Sequence, residues 1–280
     1  MTALSNPSNI RSVNWHLISS CNYACRFCFA GNLGETPVPY AEGVQILTRL
    51  AEAGMDKINF AGGEPLLHPQ LFDYCREAHD LGMTVSITTN GSLLSDEMVH
   101  THSNYIDWIA LSVDSAFEHI EARLGRGHGG HVRHSIQAAD SIRDAGIRLK
   151  INTVVTALSW AEDMTGFINR TSPDRWKVLQ MLHIRGENDD AVDELSVTAA
   201  QFQAFVNCHR DLVLWNGVKP VFESADMIES SYFMVTPRGM VKTDTDRIIR
   251  KYPLDEVLQW GVSEYVSERQ YIERGGVYEW

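Results

Sequence analysis

Between residues 12 and 184 the chain alternates short apolar-rich runs with longer stretches of helical apolar spacing. The short runs, 12–18, 55–61, 84–89, 107–113, 147–155 and 176–184, predict strands. The longer stretches, 40–53, 69–81, 95–102, 131–145, 161–170 and 198–212, predict helices. Six strand–helix units in a row give an α/β fold. The crossovers are long enough for parallel strands with helices outside, closed or partly closed, an incomplete relative of the eight-unit barrel. After residue 214 the pattern changes. A hairpin-like stretch, SYFMVTPRGMVKTD, turns at Pro237-Arg238-Gly239, and a polar, aromatic tail runs on to Trp280. The expected division is a barrel over 1–214 and a C-terminal extension over 215–280 packed on it.

Strands covered on both sides should be nearly all apolar. Several here are polar on one face. Lys57, Asn59 and Ala61 alternate with Ile58 and Phe60, and Lys150 and Asn152 alternate with Leu149 and Ile151. Arg175 and Lys177 flank Trp176, and Asn14 and His16 alternate with Val13, Trp15 and Leu17. Side chains alternate across a strand, so each set is one face. The apolar faces meet the outer helices and the polar faces point inward. Any one of these cations could sit at a strand end and reach solvent. Lys57, Lys150, Arg175 and Lys177 alternating in phase predict instead an interior cationic site, and such a site needs a polyanion. Their charge matches that of a nucleoside triphosphate.

Composition is globular, with 44% apolar and 21% charged residues. A net charge of −12 argues against a nucleic-acid-binding surface. No apolar run is long enough for a membrane span, and no secretory signal precedes the first strand. The expected setting is cytoplasmic, where structural disulfides are rare.

Three of the five cysteines form Cys21-x3-Cys25-x2-Cys28. Iron–sulfur cubes are normally held by four cysteines. Three would leave one iron open to a non-protein ligand. A zinc site would want a fourth ligand at knuckle spacing, for which His16 is poorly placed. Cys75 and Cys208 stand alone in helical segments and are expected to be buried structural thiols.

The triad, with Phe27 before its last cysteine, resembles the radical S-adenosylmethionine (SAM) superfamily. That resemblance implies a 4Fe–4S cluster whose open iron binds SAM. Gly62-Gly63-Glu64-Pro65 follows the second strand and matches that superfamily's motif for the SAM amino group. Asn90, Ser112 and Asp114 end the third and fourth strands, where barrel sites are built. Gly125-Arg126-Gly127-His128-Gly129-Gly130-His131 lacks the Lys-Ser/Thr of a P-loop. It is either a flexible loop or a carrier of Arg126 to the SAM carboxylate or ribose.

The ordered set SVNWHLISSCNYACRFCFA, KINFAGGEP, TNGSL, LGRGHG, LKINTVV, EDM, RWKV, GEN and GGVYEW is similar to the viperin family. The resemblance implies a partial (β/α)6 barrel. It also implies a radical dehydration of a ribonucleoside triphosphate to a 3′-deoxy-3′,4′-didehydro nucleotide, a chain terminator for viral polymerases. It places Lys57, Asn59, Lys150, Asn152, Arg175 and Lys177 in the substrate pocket and Asn14 at the ribose. Tyr232 is the proton donor it suggests. CTP is favoured over UTP and GTP on family grounds alone. A flavodoxin or ferredoxin would supply electrons to a monomer with no nucleic-acid or membrane partner. Ala61 stands where vertebrate members have Ser, and their membrane-binding N-terminal helix has no counterpart here. Other radical SAM reactions on nucleotides or peptides that use auxiliary clusters want further cysteines, and only Cys208 lies beyond residue 75. A non-catalytic scaffold would not need the intact triad and cationic face.

Overall fold

The computed structural model describes residues 8–30 and 34–278. The last two residues of the GGVYEW motif and the first seven of the chain lie outside them. Among the described residues the strands are β1 (Ser12–Ile18), β2 (Lys57–Gly62), β3 (Thr84–Thr89), β4 (Trp108–Ser112), β5 (Arg148–Val155), β6 (Arg175–Gln180), β7 (Val221–Glu223), β8 (Met234–Val235), β9 (Met240–Thr243) and β10 (Arg250–Pro253). They form one open sheet in the order β10-β9-β8-β1-β2-β3-β4-β5-β6-β7. Pairing is parallel from β8 through β1 to β7 and antiparallel in β8–β9–β10. The fold is therefore the expected partial barrel.

The six expected strands and helices are present, with ends shifted by a few residues. The extension does more than pack on the barrel. Its β7 extends one edge of the sheet beyond β6, and β8–β10 extend the other beyond β1. These strands are two to four residues long. That is too short to show a period of two in sequence. The hairpin at 237–239 forms as expected, with Gly239 at φ +74.

The outer faces carry the core. Val13, Trp15, Ile58, Phe60, Leu149, Ile151, Trp176 and Val178 are all buried against the helices, which present Ile46, Leu47, Leu50, Tyr74, Ala139 and Ile142 to them. The inner faces are polar in register. Ser12 pairs Lys57, Asn14 pairs Asn59, Lys150 pairs Arg175, and Asn152 pairs both Ser112 and Lys177. Paired residues in neighbouring strands share a face. The inward polar stripe thus has levels: cations near the strand starts and amides above them.

Candidate active site

The cysteine loop follows β1 and closes the top of the barrel. Cys28 N–H donates to the Cys25 carbonyl at 3.1 Å, which forms the turn between them. Backbone N–H groups of Tyr23 and Ala30 lie 3.4 Å from the Cys21 and Cys28 sulfurs. The glycine-rich loop braces this turn from below instead of moving freely. Ala24 N–H donates to the Gly125 carbonyl at 3.2 Å and Arg26 N–H to that of Leu124 at 2.9 Å. A Cβ on Gly125 would lie 2.1 Å from the Ala24 oxygen, so no other residue fits. Gly63 does the same work at the end of β2, where a Cβ would meet the Ser20 oxygen at 2.2 Å. These glycines let chain approach chain.

Cys21, Cys25 and Cys28 line one cavity of about 590 Å³. Burial raises the pKa of all three thiols, and pushes Cys25 up to about 12, with Arg126 offsetting only part. Among the described residues the one close set of three metal-ligating side chains is Asp163, Cys208 and His209. The triad supplies three thiols from one loop, a donor set that suits an iron–sulfur cluster with one iron left to a non-protein ligand. The distant set is not a metal site. His209 accepts from Met164 N–H at 3.0 Å, and its other nitrogen donates to the Phe205 carbonyl at 2.8 Å. Cys75 is buried in the core as expected, but Cys208 is exposed.

Phe27, Gly62, Gly63, Asn90, Ser112 and Arg126 line the same cavity beside the thiols. Arg126 is held there by a buried carboxylate pair. It donates to Asp114 at 2.6 Å, and Glu121 stands 3.6 Å away. Burial and Asp114 raise the Glu121 carboxyl to about 8, although Arg126 pulls the other way. Glu64 behaves differently from the rest. It is fully buried behind this wall and accepts from Leu66 N–H, the Thr89 hydroxyl and Asn90 N–H at 3.1, 2.6 and 2.8 Å. Its carboxylate clamps the end of β2 to the end of β3 and so fixes Gly63 and Asn90 at the cavity.

Below the thiols the amides form a chain. Asn59 donates to Asn14 at 3.0 Å and accepts from the Thr88 hydroxyl at 2.9 Å. The Asn152 side-chain oxygen is buried with no hydrogen-bond partner among the described residues, and so is the Arg175 Nε. Buried polar groups are normally paired; Asn152 lines the cavity, where a ligand can supply its partner, whereas Arg175, placed in the substrate pocket by the resemblance, is not among the residues lining the cavity and adjoins it through Tyr278.

The cations converge as the alternation predicted, and the tail joins them. Lys57 and Lys150 donate to the Tyr278 hydroxyl at 2.7 and 3.0 Å, and the Arg175 guanidinium stacks 3.6 Å from the Tyr278 ring centroid. Lys177 has other partners. It donates to the Tyr232 hydroxyl at 2.9 Å and pairs with fully buried Glu223 at 2.7 Å. Tyr232 donates in turn to Glu223, and Arg274 stacks 3.7 Å from the Tyr232 ring centroid. Glu223, Arg274 and Tyr278 were not singled out from the sequence. Glu223 lies on a three-residue strand, and the signal in the tail was the pair Gly275-Gly276. A Cβ on Gly276 would lie 2.5 Å from the Tyr271 oxygen.

Crowding shifts these groups strongly. Burial, then Lys150, Lys177 and Arg175, lower Lys57 to about 5. Burial and Arg175 lower Lys150 to about 7, and burial lowers Lys177 to about 8 against the pull of Glu223. Burial alone would raise Glu223, but Lys177 and Arg274 outweigh it and keep the carboxyl below its usual range. Burial and Glu223 hold the Tyr232 phenol well above 10, so it keeps its proton.

Residues 15–160 match the model of the Radical SAM superfamily. A protein of Thermoplasmatales archaeon (strain ISO4-H5), called S-adenosylmethionine-dependent nucleotide dehydratase, is 36% identical over 279 residues, covering 100% of this chain and 99% of its own length. A protein of the same name from Flammeovirga pacifica is 36% identical, covering 99% of this chain and 98% of its own. A fish relative, from Oncorhynchus mykiss, is a nucleotide dehydratase of that kind, 34% identical over 96% of this chain and 80% of its own. Among solved structures, Streptococcus suis SuiB bound to S-adenosylmethionine superposes with a TM-score of 0.69 at 17% identity, covering 96% of this chain and 68% of SuiB. That likeness concerns the fold.

Proposed function

Because the chain belongs to the radical SAM superfamily and, within it, to the viperin-type SAM-dependent nucleotide dehydratases, we propose that it dehydrates a ribonucleoside triphosphate to the 3′-deoxy-3′,4′-didehydro nucleotide. The observation that carries this is vertical order within one cavity: thiols at the top, amides in the middle, cations at the floor. A nucleotide fits that order with its phosphates down and its ribose beneath the cluster.

Cys21, Cys25 and Cys28 would hold a 4Fe–4S cluster, and Arg126, Asn90, Ser112, Phe27 and the Gly62-Gly63 backbone would line the place of SAM. When bound, the cluster and SAM would supply the one-electron radical chemistry that removes the C4′ hydrogen of the substrate. The chain's residues do the rest. Lys57, Lys150, Arg175 and Lys177 bind and orient the triphosphate. Asn14 and Asn152 hold the ribose. The C3′–O bond then breaks, and the leaving hydroxyl departs as water with a proton from Tyr232. Lys177 and Arg274 beside the phenol stabilise the tyrosinate until it is reprotonated. A second electron from the reductant completes the alkene.

We favour CTP as substrate, a flavodoxin or ferredoxin as electron donor, a monomer, and a cytoplasmic antiviral role. No helix among the described residues is long and apolar enough to cross a membrane. The test is anaerobic reconstitution with iron and sulfide, followed by SAM, dithionite and each nucleoside triphosphate in turn. The expected result is 5′-deoxyadenosine formation stimulated by one nucleotide and matched by its dehydrated product. Equal deoxyadenosine with and without nucleotide, and no dehydrated product, would sink the reading.

A further inference from the structure

We propose that Glu187, Asn188 and Lys242 form a clamp on the two peptides that flank Cys28, and that this clamp sets the reduction potential of the cluster held by the triad. The inference rests on the iron–sulfur reading of the triad. It goes beyond the nucleotide chemistry, since it holds for whichever nucleotide is dehydrated.

Gly186-Glu187-Asn188 has no part in the reaction above, and neither has Lys242. Yet Lys242 is 1% exposed on β9, and Asn188 is buried in the loop after β6. A buried ammonium is costly unless it is paired and hydrogen-bonded. Lys242 donates to the Phe29 carbonyl at 3.0 Å and to the Glu187 carboxylate at 3.1 Å. The side-chain oxygen of Asn188 accepts from Ile184 N–H at 2.9 Å. Its amide nitrogen donates to the Phe27 and Leu182 carbonyls, each at 3.0 Å. The residues before and after Cys28 are thus both held by their carbonyl oxygens.

A peptide group is planar and trans, so fixing its C=O aims its N–H the opposite way. The Phe27–Cys28 peptide, pinned by Asn188, sends the Cys28 N–H to the Cys25 carbonyl at 3.1 Å and makes the turn between those two ligands. The Phe29–Ala30 peptide, pinned by Lys242, sends the Ala30 N–H to the Cys28 sulfur at 3.4 Å. A cation on the carbonyl also polarises that peptide and strengthens its N–H as a donor.

Hydrogen bonds to the sulfurs and net charge are among the terms that set a cluster's potential. Reduction adds one negative charge to the cluster. The Ala30 N–H and the Lys242 ammonium favour the reduced state, and the Glu187 carboxylate opposes it. The two partners of this ion pair therefore push the potential in opposite directions. A mere tie between β9 and the cysteine loop would fail in the same way whichever partner is lost.

The test is a mediated potentiometric titration of the reconstituted holoenzyme without SAM, with dithionite as reductant, read by the electron paramagnetic resonance of the reduced cluster. Lys242→Met should lower the midpoint by about 59 mV or more, a tenfold shift in the one-electron equilibrium. Glu187→Gln should raise it, by about threefold or more in the same equilibrium. Asn188→Ala should speed loss of the cluster to a chelator by about tenfold, the lower end of what outer contacts to metal ligands contribute. Midpoints that stay unchanged in both charge variants, or that move the same way, overturn the proposal. Should Lys242→Met not fold or not take up a cluster, the sign of the shift in Glu187→Gln decides alone, and no shift or a fall overturns it. Wild type that assembles no cluster sinks the reading of the triad instead. Wild type that holds a cluster but dehydrates no nucleotide sinks the nucleotide reading and leaves this test standing.

Discussion

Lys57, the first residue of β2, donates at 2.7 Å to the hydroxyl of Tyr278, 221 positions later in the chain. The same hydroxyl takes Lys150 at 3.0 Å. The tail therefore seats a neutral acceptor on the two lysines assigned to phosphate. An incoming triphosphate must displace it. Tyr278→Phe keeps the ring over Arg175 and removes the competing oxygen. We expect nucleotide affinity, read by calorimetry on SAM-free protein, to tighten by about three- to tenfold, the range of one neutral hydrogen bond. A Kd weakened several-fold would make the phenol a phosphate ligand instead of a competitor.

Lys57 at about 5 and Lys150 at about 7 are wholly or half neutral at pH 7 when no anion is present. A polyanion restores their charge, so nucleotide binding should take up protons. Calorimetry at pH 7 in buffers of differing ionisation enthalpy should show net uptake, shrinking as pH falls toward 5. Stability carries the matching sign. A lysine whose pKa falls on folding leaves the unfolded chain binding more protons between about pH 5 and its ordinary value of 10.5, so ligand-free stability rises with pH across that window. Lys57→Met should flatten the rise, and an identical pH profile for the two proteins would refute the assignment.

Arg175 stacks on Tyr278 and pairs in register with Lys150. Arg175→Ala should raise KM for the triphosphate by about ten- to hundredfold, as expected for one charge-assisted contact. Cluster content should be unaffected. Wild-type protein that uses the diphosphate equally well would show that the cationic floor is structural.

Tyr232 is set between Glu223 and Lys177. If it protonates the leaving hydroxyl, Tyr232→Phe should lower kcat by about a hundredfold or more while nucleotide affinity changes little. Transfer of deuterium from 4′-labelled substrate into 5′-deoxyadenosine should persist, because hydrogen abstraction precedes proton delivery. Loss of that transfer together with kcat would make the phenol a positioning group for the ribose. Glu223→Gln removes the charge that disfavours tyrosinate, so ultraviolet titration should find Tyr232 ionising at lower pH than in the wild type.

Cys25→Ala should lose the cluster and SAM cleavage together, whereas Cys75→Ala and Cys208→Ala should retain both. Cys75 lies in the core and Cys208 is exposed on a helix. Iron analysis and deoxyadenosine yield decide it, and a fully loaded Cys25→Ala protein would contradict the assignment.

Local and periodic features were legible in the sequence. An apolar period of two or 3.6 depends on neighbours in the chain, so the six strand–helix units, the inward polar faces and the cysteine triad could be read directly. The in-phase Lys57, Lys150, Arg175 and Lys177 named the cationic floor for the same reason. Pairing across the fold was decided only by tertiary structure. Glu223 enters the site because β7 happens to lie beside β6, and nothing in three residues of strand announces that neighbour. Arg274 and Tyr278 reach the floor because the tail returns beneath β2 and β5, with Gly276 packed where no side chain fits. Charge and hydrogen-bond complementarity depend on distance through space, which the sequence encodes only through the whole fold.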